Sequence, residues 1–335
     1  MNTQKNKFLT MTASPHIKSF FKTKNIMADV IIALLPALVW AIYLYGLRAL
    51  TITAISVATC VITEYLYRKI MKKSNSIGDL SAVVTGILLA YSLPVSVPLW
   101  LPVLGSVFAI IVAKQLYGGI GKNVVNPALA GRVFLFFAYS DEMCAYTIPG
   151  EKLHPLKINV TSEINDIVAG ATPLDGLKSG IATEYDFIPS LIGNIPGCIG
   201  EVSATLLILT GLYLMIRKVI TWHIPVSYIA TVAVISFVFP LGGANRLDFM
   251  LMQLFSGALI LGAFFMATDY VTSPVTKTGR IIYGIGCGLI TIFIRYFGGF
   301  PEGVSFAILI MNLFVWYLDK ATKPKVFGGV KKNEK

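Results

Sequence analysis

The sequence predicts an all-α polytopic membrane protein, and three observations carry that expectation. Of 335 residues, 55% are hydrophobic and only 13% charged, the mean hydropathy is +0.72, and apolar runs of helix length alternate with short basic blocks. A water-soluble domain carries about 25% charged residues, so this chain has too few to clothe compact domains in water. The formal charge of +11 would otherwise point to nucleic acid. Here the basic residues sit between apolar runs, as in membrane loops, and nucleic-acid binding is set aside. Cys60, Cys144, Cys198 and Cys287 lie far apart, and His16, His154 and His223 are scattered. That spacing predicts no metal or cysteine-held cluster, and cysteines that pack as small apolar residues.

A bilayer core needs about 20 apolar residues in a helix. Ten such runs are read: 28–46, 48–67, 80–93, 99–117, 123–140, 190–216, 220–240, 248–268, 279–297 and 303–318. The third is short and ends at Leu93-Pro94, the mark of a broken or partly inserted helix. The first run follows a polar arm and lacks a small-residue cleavage site, so it is expected to stay as a helix. Ten crossings put both termini on one side. If that side is cytoplasmic, its segments hold 21 of the 28 basic residues, so the positive-inside rule sets the orientation. Residues 1–27 then form a cytoplasmic arm and 319–335 a basic cytoplasmic tail. The connection 141–189 lies on the far side with eight acids against three lysines. A connection of that length usually carries function.

The two halves echo each other at an offset of roughly 176 to 180 residues. Leu116-Tyr117-Gly118-Gly119-Ile120-Gly121 is answered by Arg295-Tyr296-Phe297-Gly298-Gly299-Phe300, and Thr85-Gly86-Ile87-Leu88-Leu89-Ala90 by Leu261-Gly262-Ala263-Phe264-Phe265-Met266. Five runs per half, an odd number, force the second copy to insert upside down. The expected architecture is two inverted five-helix repeats, 28–140 and 190–318, of the kind that builds pathways at mid-membrane. Glycine pairs are also common at turns between spans, which is the competing explanation.

Ionisable groups at membrane depth are costly and mark function by default. Arg132, after Asn123 and Asn126, cannot shed its charge and must face a carboxylate, carbonyls, a phosphate or water. Glu64 can pair with Arg68 one helical turn on. Glu201 falls in the sixth run, and Asp269 closes the eighth, where it either lines a route or caps a helix end.

Inside 141–189 lies Asp166-Ile167-Val168-Ala169-Gly170-Ala171-Thr172-Pro173. Gly170 reaches backbone angles closed to other residues, and Pro173 holds Thr172 extended. The motif displays one hydroxyl on a bare turn. By itself this is also an ordinary turn.

The wider context adds to it. Ser14-Pro15-His16-Ile17-Lys18, Ile26-Met27-Ala28-Asp29 through Leu35-Pro36-Ala37, Gly118-Gly119-Ile120-Gly121-Lys122-Asn123 with Asn126-Pro127-Ala128, Phe265-Met266-Ala267-Thr268-Asp269, and Gly298-Gly299-Phe300-Pro301-Glu302-Gly303 occur in an order that resembles a known family. That family comprises the D-type subunit of the Rnf ferredoxin:NAD oxidoreductase complex and the B-type subunit of the sodium-pumping NADH:quinone oxidoreductase. The resemblance runs over nearly the whole chain. It implies a subunit of a redox-driven, ion-translocating complex in the bacterial cytoplasmic membrane, with other membrane and peripheral subunits as partners. It also implies FMN attached through its phosphate to Thr172 by an extracytoplasmic flavin transferase, with Asp166, Gly170 and Ala171 as the recognition residues. Ala169 departs from the Ser or Thr usual in the motif. Arg132 or a nearby Asn is expected to stabilise the reduced, anionic ring of that FMN; a second flavin, noncovalent riboflavin, is implied among the spans, and Arg132, Asn126 and Asp269 are carried as cofactor-binding candidates. The architecture also resembles urea and ammonium channels. A small-solute channel or secondary transporter is therefore the alternative, and a purely structural anchor is a third reading. The chain has no Walker loop and no dinucleotide fingerprint, which sends nucleotide chemistry to partners.

Overall fold

The computed structural model describes residues 22–150, 153–157, 174, 176, 187–201, 203–241, 245–299 and 302–324. Its elements are α1 (Thr23–Tyr45), α2 (Leu47–Ile70), α3 (Ser81–Tyr91), α4 (Trp100–Gln115), α5 (Pro127–Ala138), α6 (Ser140–Cys144), α7 (Phe187–Ile192), α8 (Ala204–Ile216), α9 (His223–Val238), α10 (Arg246–Phe255), α11 (Leu259–Met266), α12 (Lys277–Phe297) and α13 (Val304–Ala321). Among the described residues α1, α2, α12 and α13 are long and apolar enough to cross a membrane, and α10 with α11 makes a fifth candidate if the bent pair is one span. The all-helical, multi-pass character read from the sequence holds at that level. Apolar side chains also face outward in stripes, Ile32, Leu35, Val39 and Tyr43 along α1 being one. Lipid is the medium that tolerates such a stripe.

Two of the ten expected runs are broken. The run 190–216 divides into α7, a 3-10 turn at Ile199–Glu201 and α8, because Gly193, Pro196, Gly197 and Gly200 interrupt it, Gly193 at φ +91°. Glu201 thus sits in a break and not in a helix. The run 248–268 bends by 60° between α10 and α11, at Gly257, whose φ of +75° is open to glycine at little cost. After α3 the chain breaks over 92–99, as Leu93-Pro94 predicted.

Backbone that leaves the helix at membrane depth has no water to bond and must be satisfied by the protein. Two buried arginines do this. Arg48, at the start of α2, donates Nε to Val95 O at 2.8 Å, Nη2 to Val97 O at 2.9 Å and Nη1 to His154 O and Lys157 O at 2.9 and 3.0 Å. Arg295, near the end of α12, donates to the carbonyls of Gln253 and Ser256 in the α10–α11 bend. The breaks then meet: Ile199 N donates to Leu93 O at 2.9 Å, and Pro94 bridges Cys198.

Contacts sort the helix ends into two groups. At one end Arg217 pairs with Asp29, Asn126 bonds Met266 O, Arg280 bonds Thr221, and Val275 N bonds Asp319. At the other, Gly150 N bonds Leu44 O, Tyr45 reaches Ile195 O, and Tyr296 reaches Phe239 O. Small residues let helices approach closely: a Cβ on Gly86 of α3 would lie 2.6 Å from Val57 Cα of α2. Gly86→Ala is expected to force α2 and α3 apart and cost about 1–3 kcal/mol. Gly78→Ala, with nothing within 4 Å of the added carbon, should leave stability unchanged; thermal inactivation of the two variants in detergent makes the comparison.

Candidate functional site

Two polar centres lie inside the helical body. The first is built on α5. Pro127 opens this helix, and Asn126 caps it by accepting from Ala128 N at 3.0 Å. The cap sets the phase of the helix, and six residues on, Arg132 turns inward, 4% exposed. Its guanidinium pairs with Glu302, donates to Ser305 Oγ at 2.7 Å, and approaches Cys198 Sγ at 3.7 Å. Glu302 lies just before α13 and Ser305 in its first turn, so the pair ties α5 to α13. The thiol of Cys198 and one carboxylate oxygen each from Glu201 and Glu302 lie within 4.8 Å of one another. Of the partners open to Arg132, a carboxylate, carbonyls, a phosphate or water, the structure supplies a carboxylate, that of Glu302, which sequence reasoning did not single out. The signal was present in Phe300-Pro301-Glu302-Gly303, an acid held between helix breakers in a mostly apolar half.

The second centre is a cleft of about 780 Å³, its open mouth included, between α1, α3, α4, α5, α8 and α11. Val84, Leu88, Leu214, Phe264 and Phe265 make its apolar walls, and Thr85, Lys114, Asn123, Asn126, Thr268 and Asp269 its polar groups. Two of the walls are π-helical, Ala109–Gln115 in α4 and Gly262–Met266 in α11. Widened turns of this kind are rare and frequently border functional sites. Asn126 Nδ2 donates to Met266 O at 3.1 Å, closing the cleft between α5 and α11. Asp269 accepts from Thr272 Oγ1 at 3.2 Å. At the edge, Lys114 Nζ is 2.7 Å from Glu64 Oε2 and donates to Ser81 Oγ at 2.6 Å. The expected Glu64–Arg68 pair is present at 3.8 Å, and Lys114 is the nearer partner. No local spacing could reveal it, because the two residues are 50 apart.

Of the sequence-derived candidates, Asn126 and Asp269 therefore share the cleft, and Arg132 belongs to the other centre. Asp166, Gly170, Ala171 and Thr172 lie outside the described residues. The motif's downstream neighbour Leu174 is described: it is buried and packs on Phe249 and Met252 of α10. Gly257 lies beside it, and beyond Gly257 are Arg295 and Glu302. Cys60, Cys198 and Cys287 are buried, but Cys144 is exposed, against the expectation that all four pack inside.

Comparison with known proteins bears on what these centres serve. The family model described as NQR2, RnfD, RnfE matches residues 10–328. The chain belongs to that family. It is 46% identical over 327 residues to the D-type subunit of the Na(+)-translocating ferredoxin:NAD(+) oxidoreductase complex of Acetobacterium woodii, covering 96% of each chain. It is 37% identical to the D-type subunit of the proton-translocating ferredoxin:NAD(+) oxidoreductase complex of Clostridium ljungdahlii, with 97% of each covered. The D-type subunit of the ion-translocating oxidoreductase complex of Halorhodospira halophila is similar at 35% identity, with 95% of each covered. The NQR2, RnfD, RnfE match spans both polar centres and the breaks between them.

Removing one partner of a buried ion pair strands the other, at a cost of roughly 3–5 kcal/mol. Arg132→Leu is expected to destabilise the chain by about that much, and adding Glu302→Gln should recover most of the loss; a double-mutant cycle on detergent unfolding reads the coupling. Asn126→Ala should cost about 0.5–2 kcal/mol through the lost cap.

Proposed function

We infer that this chain is the D-type membrane subunit of an ion-translocating ferredoxin:NAD oxidoreductase complex, working in electron transfer and not as a pore. The observation that carries the reading is the match, over 95–97% of its length, to subunits so named. Those names include sodium and proton translocation, so the family chemistry spans both ions. Its partners are the other subunits of such a complex.

The finer reading is a flavin carrier. Amino-acid side chains cannot convert two-electron to one-electron transfer, and a flavin supplies that chemistry when bound. The residues present fit two such groups. Near Leu174, two residues after Thr172, Ser256 Oγ and Arg295 Nε are buried without a hydrogen-bond partner. Orphaned donors in a native interior call for a ligand or water. Arg295 and Ser256 would hold the polar part of FMN esterified to Thr172, and Asp166, Gly170 and Ala171 would present the acceptor hydroxyl to a flavin transferase. The lining of the cleft suits riboflavin: its apolar walls suit a planar ring and its amides, hydroxyls and carboxylate suit the ring's pyrimidine edge and the ribityl chain, a composition usual for cofactor sites. Asn126 and Asp269 would contact that group. Arg132, already neutralised by Glu302, would act on a flavin only through the field of the pair.

The proposed architecture is ten membrane segments in two inverted five-helix repeats, as in urea and ammonium channels, with the termini cytoplasmic and the Thr172 connection outside. In support, one group of helix ends gathers Lys114, Arg217, Lys277, Arg280 and Lys320, while the residues that follow α6 contact the opposite group. The channel alternative needs an open path, whereas Arg132 of α5 is tied across to Glu302 and Ser305 at the start of α13.

Denaturing electrophoresis under ultraviolet light is expected to show a fluorescent band for this subunit, and its intact mass to exceed the translated chain by one FMN less one water. Thr172→Ala should abolish both. A colourless chain of bare mass, isolated from cells that hold the transferase, would refute the flavin reading. Asp269→Leu is expected to lower noncovalent riboflavin in the acid extract by at least half while leaving the covalent flavin in place.

A further inference from the structure

The acid pair beside Arg132 has one cation for two carboxylates. Glu201, in the 3-10 turn after α7, and Glu302, before α13, approach each other and Cys198 Sγ within 4.8 Å. Arg132 is committed to Glu302, Ser305 and Cys198. The Nη groups of Arg295 are committed to Gln253 and Ser256. Glu201 is 8% exposed, is in no ion pair among the described residues, and has its Oε1 buried without a hydrogen-bond partner.

Two carboxylates this close in a low-dielectric interior do not both ionise unless a cation joins them. A metal fits poorly. A hard cation takes about six or more oxygens, whereas Ser305 Oγ is already bonded to Arg132 and the third ligand would be a thiol. The guanidinium lying against both Glu302 and Cys198 would also repel it. A proton needs a single lone pair, and the Glu201 carboxylate, which approaches Glu302 and is in no ion pair among the described residues, offers one.

We propose that Glu201 is a proton-binding site of this chain, holding one exchangeable proton toward Glu302 at the junction of the two helix breaks. Binding forms one O–H bond on the Glu201 carboxylate and release breaks it. The proton comes from and returns to water, and no electron moves. Arg132 fixes Glu302 as the ionised member, so that Glu201 is the one that exchanges. This goes beyond the redox reading and does not depend on a flavin.

Infrared difference spectroscopy of the intact purified complex tests it. The expected result is a carbonyl-stretch band of a protonated carboxylic acid that shifts in deuterium oxide, disappears in Glu201→Gln, persists in Thr172→Ala, and is unchanged when sodium chloride replaces choline chloride. Absence of the band in the unmodified complex, or its survival in Glu201→Gln, overturns the proposal. Loss of the band on adding sodium would mean a metal ion occupies the pair, and loss in Thr172→Ala would mean the proton belongs to flavin chemistry; either outcome also overturns it. If Glu201→Gln does not assemble, Glu201→Asp keeps the acid and should show the band at an altered frequency; an unaltered band there refutes the assignment. An unmodified complex that is isolated without flavin from cells holding the transferase, yet keeps the band, refutes the carrier reading alone, so the two failures are distinguishable.

Discussion

Backbone groups at membrane depth must find partners inside the protein, and here that constraint falls on two buried arginines, while a third pairs with a carboxylate. Arg48 gathers carbonyls at 95, 97, 154 and 157, Arg295 gathers those at 253 and 256, and Arg132 closes on Glu302. Each joins parts of the chain far apart in sequence. A guanidinium suits this task because it stays charged and carries five donors in a planar fork, enough to serve several acceptors at once. A lysine has three donors on one atom and cannot span two adjacent carbonyls and a third from another loop in the same way.

The breaks themselves are what bring function into reach. A continuous helix satisfies its own backbone and presents only side chains, whereas the interruptions at 92–99, 193–203 and 256–258 place main chain and polar side chains at one junction. Cys198 and Glu201 reach Arg132 because the run 190–216 does not continue as a helix. Leu174 lodges beside the α10–α11 bend, so the connection carrying the Thr172 motif is anchored two residues from that threonine to the same junction. The cleft is separate. It lies near the helix ends that gather Lys114 and Arg217, and its π-helical walls widen the space between α4 and α11.

The membrane-protein character, the helical segments and the inward arginine on α5 were legible in the sequence because hydropathy and charge cost act locally, residue by residue. The Leu93-Pro94 break was legible too, since proline acts on its own neighbours. The breaks at 193–203 and 256–258 were not. Mean hydropathy over a window passes through glycines without registering them, and glycine bends a chain only where packing asks it to. Helical spacing matches Glu64 with Arg68, yet its nearer partner, Lys114, comes from another helix.

The sequence by itself determined which segments are apolar enough for lipid, which charges lie at depth, and the family of the chain, all of them properties that follow from composition and order along one dimension. Only the tertiary structure decided what those charges face. Arg132 pairs with Glu302 across 170 residues and Lys114 with Glu64 across 50, while Glu201 is left without a cation among the described residues. Such pairings depend on where helices stop and cross, which no periodicity along the chain records.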